Sequence, residues 1–235
     1  LVDNMLIDPV ARDAHVQAVA GFVEGNGYQG IDIDYRGITP QLQREYTVFL
    51  EQLREALGDE KQLSVRTELP MQVSADTWDT GAYDWQAIGR IANAVKIPTS
   101  PDPRAYTPGG QMESMLSYAV SEINRYKVQL LLTTFSTQQA NGITRNVNYT
   151  EAIDPIGAVS IVDGQNVVPP GKEVAFTLNG LQSSTGVQLD ENSGNYWYAY
   201  LDENNTQNTI FIENAASLAR KLQFIPQYNL RGVAV

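Results

Sequence analysis

The run 28-YQGIDIDYRG-37 sets Asp32, Asp34 and Arg36 on alternate residues. In a β-strand these positions share one face, with each side chain roughly 6.8 Å from the next. Two carboxylates on one strand face are costly to bury without a purpose, and acid–base chemistry or substrate positioning is such a purpose. The third position carries a guanidinium, which keeps its proton at any ordinary pH and cannot serve as the acid. The best replacement is Glu68, with Asp102 and Glu113 behind it. The structural alternatives are an aspartate pair bonded to neighbouring strands, and an ion pair from Glu68 to Arg36 or Arg66. Other chemistries lack their residues. There is no cysteine and only one histidine, His15, so neither a thiolate or histidine metal site nor a Ser-His-Asp triad can be built. No metal and no cofactor is implied.

The elements that must position these groups follow from periodicity. Asp8-Pro9 reads as a helix start, with Val16, Val19, Ala20 and Val23 at helical spacing and Gly25 and Gly27 as the stop. A strand over 29–35 follows. Thr39-Pro40 opens a second helix, with Leu42, Tyr46, Phe49, Leu50, Leu53 and Leu57 on one face and Gly58 at its end. Further strands are expected at 62–69, 93–100, 127–136 and 231–235. Helices are expected over Asp84–Ala92, Met112–Ile123 and Ile212–Ile225. The strands read as apolar runs, the pattern of a parallel sheet covered by helices. Between 137 and 208 the rhythm gives way to an Asn-, Gly- and Ser-rich stretch. Its β-like pieces at 157–162, 173–178 and 195–201, with a turn signal at Asp163-Gly164, predict a small, mostly β insertion. The domain expected from this reading comprises 1–136 and 209–235, interrupted by 137–208.

The formal net charge of −11 makes nucleic acid an unexpected partner, and no window approaches the 18 apolar residues of a membrane span. The chain starts at Leu1 without a visible signal segment, and both ends are expected to be cut from a longer protein.

The run 30-GIDIDYR-36 resembles the signature strand of glycoside hydrolase family 18, the chitinase-like barrels. That signature runs Asp-Gly-x-Asp-x-Asp-x-Glu and ends on the proton donor. Gln29 replaces its first Asp, Asp32 and Asp34 match the next two, and Arg36 stands in the place of the Glu. The segments 83–97, 111–132 and 196–235 are similar to the spore-germination, cell-wall-associated branch of that family. The resemblance implies an α/β fold of the (β/α)8 TIM-barrel type. By its register this chain carries the fourth to the eighth strand, with the small β-rich insertion after the seventh, and the missing strands are expected from upstream chain.

In the family the substrate's N-acetyl oxygen attacks the anomeric carbon while the Glu protonates the leaving oxygen. The Asp two residues earlier orients the acetamido group, a role that the resemblance carries to Asp34. A Tyr and an Asp at the sixth strand end help hold the sugar. Here 97-IPTSPD-102 sets Thr99 and Ser100 in that place, with Asp102 as a shifted remnant. Tyr106, in a Pro/Gly loop, is the aromatic placed where a barrel mouth would present it to a sugar ring. Two departures at separate strands imply a vestigial site and a catalytically inactive domain of an extracellular or cell-surface protein. Such a domain would bind chitin- or peptidoglycan-like glycan or act as a surface scaffold. The alternatives are an active glycosidase using a relocated acid such as Glu68, and an assembly subunit that self-associates through 137–208.

Overall fold

The computed structural model describes residues 2–161, 176–179 and 185–235, with the backbone alone at 158–161 and 176–179. The chain divides into two compact units, one of residues 1–100, 108–133 and 222–235, the other of 101–107 and 134–221.

The first unit alternates helices and strands. Helix Pro9–Gly25 starts where Asp8 accepts the N–H of Val10. Helix Gln43–Leu57 buries Tyr46, Phe49, Leu50, Leu53 and Leu57, and Gly58 ends it at a φ of 67°. Helix Trp85–Ile91 is capped by Asp84, whose carboxylate accepts the N–H of Ala87. Helix Gln111–Glu122 buries Met112, Met115, Leu116 and Ala119. The short helix Val2–Ile7 was outside the sequence expectation, because six residues hold too little periodicity to be seen.

The strands Gly30–Ile33, Gln62–Arg66, Ala94–Pro98, Val128–Leu131 and Gly232–Ala234 form one parallel sheet in that order. All five expected strands are therefore present, each shorter than its apolar run. They are not apolar on both faces. Ile33, Leu63, Val65, Val95, Ile97, Val128 and Leu130 are buried. The alternate residues Asp32, Ser64, Arg66, Lys96 and Gln129 are polar and partly exposed. Their face holds an open depression of about 360 Å³ lined by Gln62, Ser64, Asn93, Lys96, Gln129 and Arg231, among others. The expectation of apolar runs is corrected accordingly: one face of the sheet is core, the other a polar surface that carries the site.

The second unit is built on an antiparallel sheet. Its strand order is Gln188–Asp190, Asn195–Leu201, Gln207–Ile212, Ser136–Ala140 and Ile143–Val147. Tyr198, Ile210, Ile212 and Val147 close over Ala152 and Ile156 of a short helical segment. Strands Ala158–Ile161 and Phe176–Asn179 pair separately, while the turn expected at Asp163-Gly164 lies outside the described residues. Two expected boundaries move. Ser136 leaves the parallel sheet, so the strand expected to reach it stops at Leu131. Ile212 ends a strand, and the single helix expected over Ile212–Ile225 is instead Ala215–Leu222 followed by Phe224–Tyr228. The apolar spacing also misplaced the buried side: Ala215, Ala216, Ala219 and Leu222 are exposed, while Ser217, Lys221 and Phe224 are buried.

Candidate functional site

The polar sheet face gathers its charges where strands Gly30–Ile33 and Gln62–Arg66 end. The parallel register sets Asp32 beside Ser64 and Arg66 beside Lys96. Ser64 Oγ donates to Asp32 Oδ1 at 2.5 Å, and Lys96 Nζ lies 2.9 Å from Asp32 Oδ2. Asp34 receives two guanidinium groups. Arg66 Nη1 donates to Oδ1 at 2.8 Å, and Arg36 grips both oxygens, Nε to Oδ1 at 2.8 Å and Nη2 to Oδ2 at 2.5 Å. The bidentate fork uses two nitrogens of Arg36 and leaves its Nη1 outside, on a side chain that is 63% exposed.

Beyond Arg36 the chain turns through Gly37, whose φ of 65° is a conformation that glycine adopts without a Cβ penalty. Glu68 anchors this turn by accepting the N–H of Gly37 at 2.6 Å. The ion pair expected from Glu68 to Arg36 or Arg66 is replaced by this bond, because Asp34 already takes both arginines. The Tyr83 hydroxyl donates to the carbonyl of Tyr35 at 2.6 Å. Burial, and then the negative charge of Glu68, push the Tyr83 phenol well above its ordinary pKa, so it stays a proton-bearing donor. His15 Nε2 lies 2.5 Å from the Tyr35 hydroxyl, and its ring stacks on Phe49. The one histidine thus packs against the side chains of Tyr35 and Phe49.

The structure brings Asp32, Asp34, Arg36 and Glu68 to one strand end, where Ser64 and Lys96 hold Asp32 and Arg66 holds Asp34. These last three were missed as site residues. Their signal was the period-two polar pattern 62-QLSVR-66 and 94-AVKIP-98, hidden when the strands were read as apolar runs. Thr99 follows strand Ala94–Pro98 and spends its hydroxyl on the carbonyl of Leu131 at 3.1 Å. Ser100 is buried.

In the other unit, Asp102 caps the turn Pro103–Tyr106 and pairs with Arg104. Burial raises the Asp102 carboxyl, but the side-chain and backbone bonds from Arg104 outweigh it and hold the pKa below the usual aspartate range. Tyr106 is only 2% exposed, with Lys221 Nζ 4.8 Å from its ring centroid. Its ring is not open to stack on a sugar, in contrast to the loop reading. Trp78 and Trp85 are also buried.

Chemically, this strand end can hold and orient a polar ligand, but it has no acid at the third alternate position. Among the described residues no group of three or more His, Asp or Glu could hold a metal ion, and no helix is long and apolar enough to cross a membrane.

Comparison with known proteins agrees with the signature run. The chain is 25% identical over 217 residues to the cortical fragment-lytic enzyme of Bacillus subtilis (strain 168), covering 88% of this chain and 46% of that protein. It is 20% identical to the uncharacterized glycosylase YvbX of the same organism, over 100% of this chain and 64% of that one. The chain therefore spans between about half and two thirds of the curated relatives' length. Among solved structures, the putative sporulation-specific glycosylase ydhD from Bacillus subtilis superposes with a TM-score of 0.72 at 17% identity, covering 99% of this chain and 73% of that one. A chitinase from Chromobacterium violaceum ATCC 12472 gives 0.70 at 18% identity, covering 96% and 66%. These likenesses show a TIM-barrel-like α/β fold. The model of the glycosyl hydrolases family 18 matches residues 3–235, and with nearly every residue inside that match the chain belongs to this family.

Proposed function

We propose that this chain is a glycan-binding domain of the family that has lost hydrolytic turnover. One observation carries the reading: Arg36 occupies the proton-donor position and is locked on both oxygens of Asp34. A guanidinium does not release a proton near neutrality. The acetamido-orienting oxygens of Asp34 are committed as well. Thr99 and Ser100 supply no large polar pair at the second strand end. The ligand class is an N-acetylglucosamine-containing polymer, chitin- or peptidoglycan-like, and the setting is the cell surface or outside the cell. In this reading the five parallel strands are the fourth to the eighth of the barrel, and 137–208 is its insertion. Upstream chain would supply the strands that pair with the edge strand Gly30–Ile33.

General acid catalysis is worth roughly 10²–10⁴-fold, and that factor is expected to be missing. With a chromogenic N-acetylglucosamine oligomer, the chain is expected to release no more chromophore than its Asp34→Ala variant. Turnover abolished by Asp34→Ala would overturn the proposal. Turnover abolished by Glu68→Gln, with glycan binding retained, would install Glu68 as a relocated acid. Glu68 is tied to Gly37 and faces Tyr83, so the expected effect of Glu68→Gln is on the turn at Gly37.

A further inference from the structure

The same strand end carries a charge arrangement that selects among glycans. Arg36, Arg66 and Lys96 face Asp32, Asp34 and Glu68, three cations against three carboxylates. The pairing is uneven. Asp32 has Lys96 and Ser64, Glu68 has the Gly37 N–H, while Asp34 alone is shared by two guanidinium groups. One carboxylate cannot saturate two such groups, each with five N–H donors. The surplus sits on Arg36, the most exposed member, whose Nη1 takes no part in the fork.

An acid at this position would leave four carboxylates against two cations and repel an anionic ligand. The arginine instead presents a neutral cluster with an outward guanidinium, on a chain whose net charge is −11. We propose that Arg36, backed by Arg66, reads a carboxylate on the glycan, so that this site prefers acidic N-acetylated sugars over neutral ones. This rests on the glycan-binding reading above and goes beyond it by naming the charge of the ligand.

The test uses titration calorimetry on the 235-residue chain with three probes. The first is a tetrasaccharide of alternating N-acetylglucosamine and N-acetylmuramic acid, whose lactyl ether carries a carboxylate. The second is the same tetrasaccharide with its carboxylates reduced to alcohols, and the third is tetra-N-acetylchitotetraose. The acidic probe is expected to bind about tenfold tighter than the other two, the scale of one hydrogen bond to a charged group. The preference should shrink as salt rises, and it should disappear in Arg36→Gln. That variant is expected to melt with the parent protein, since the side chain is largely exposed. Equal affinity for the acidic and the reduced probe, or a preference that survives Arg36→Gln, would overturn the inference while leaving glycan binding intact. Binding of none of the three would overturn both readings.

Discussion

Gly30→Ala is expected to destabilise the parallel sheet by about 3 kcal/mol, the top of the usual range for overpacking. A Cβ at residue 30 would stand 2.0 Å from the carbonyl oxygen of Gln62 and 2.7 Å from its carbonyl carbon. These are backbone atoms of the neighbouring strand, so no side-chain rotation relieves the clash. Gln62 is also held by its N–H, which donates to the carbonyl of Gln29 at 2.9 Å. The strands must separate or slip, and the Asp32–Ser64 register would move with them. In a protein of this size the loss corresponds to a fall in melting temperature of roughly 6–12 °C. Gly21→Ala is the control. Its Cβ would meet nothing within 4 Å on helix Pro9–Gly25, so it is expected to leave stability unchanged or raise it slightly. Parallel urea melts of the two variants decide the matter, and a Gly30→Ala protein as stable as the parent would refute the strand contact.

The second large effect is expected in the other unit. Glu213 and Lys221 form an ion pair at 2.5 Å, with side chains 6% and 7% exposed. Ser217 Oγ donates to the second carboxylate oxygen at 2.6 Å, and the ammonium lies over the ring of Tyr106. Glu213→Ala removes the only carboxylate in this pair and leaves an ammonium buried without a counter-charge, a change that costs about 3–5 kcal/mol. The double variant Glu213→Leu with Lys221→Met takes both charges out of the interior and is expected to recover most of that loss, since apolar replacements of buried ion pairs are often near neutral. Thermal melts of the two variants therefore separate an unpaired charge from lost packing. If the double variant is less stable than Glu213→Ala, packing dominates and the ion-pair account fails.

Tyr106 links this prediction to the reading of the site. By residue type and loop position it looked like a sugar-stacking platform. In the folded unit it is the wall under which Lys221 is buried. An aromatic side chain in a Pro/Gly loop has the same local sequence in both roles. Only a partner more than a hundred residues away distinguishes them. Glu68 teaches the same lesson in reverse. Its neighbourhood of arginines suggested an ion pair, but a nearby aspartate with better geometry took both of them, and Glu68 holds a backbone N–H instead.

Several features were legible from consecutive residues, because local periodicity and local motifs are written there. Helices at Pro9–Gly25 and Gln43–Leu57, with their Asp8 start and Gly58 stop, depend on neighbours within one or two turns. The five parallel strands and the signature run with Arg36 at its third alternate position needed no knowledge of distant contacts. The family followed from that run. Tertiary structure alone decided which face of each strand is polar, that Ser64, Arg66 and Lys96 reach the two aspartates, and that Gly30 must lack a Cβ. Each of these rests on the register between strands some thirty residues apart in sequence. A one-residue slip would turn the polar and apolar sets over, and pairing energy summed across the whole sheet chooses against it.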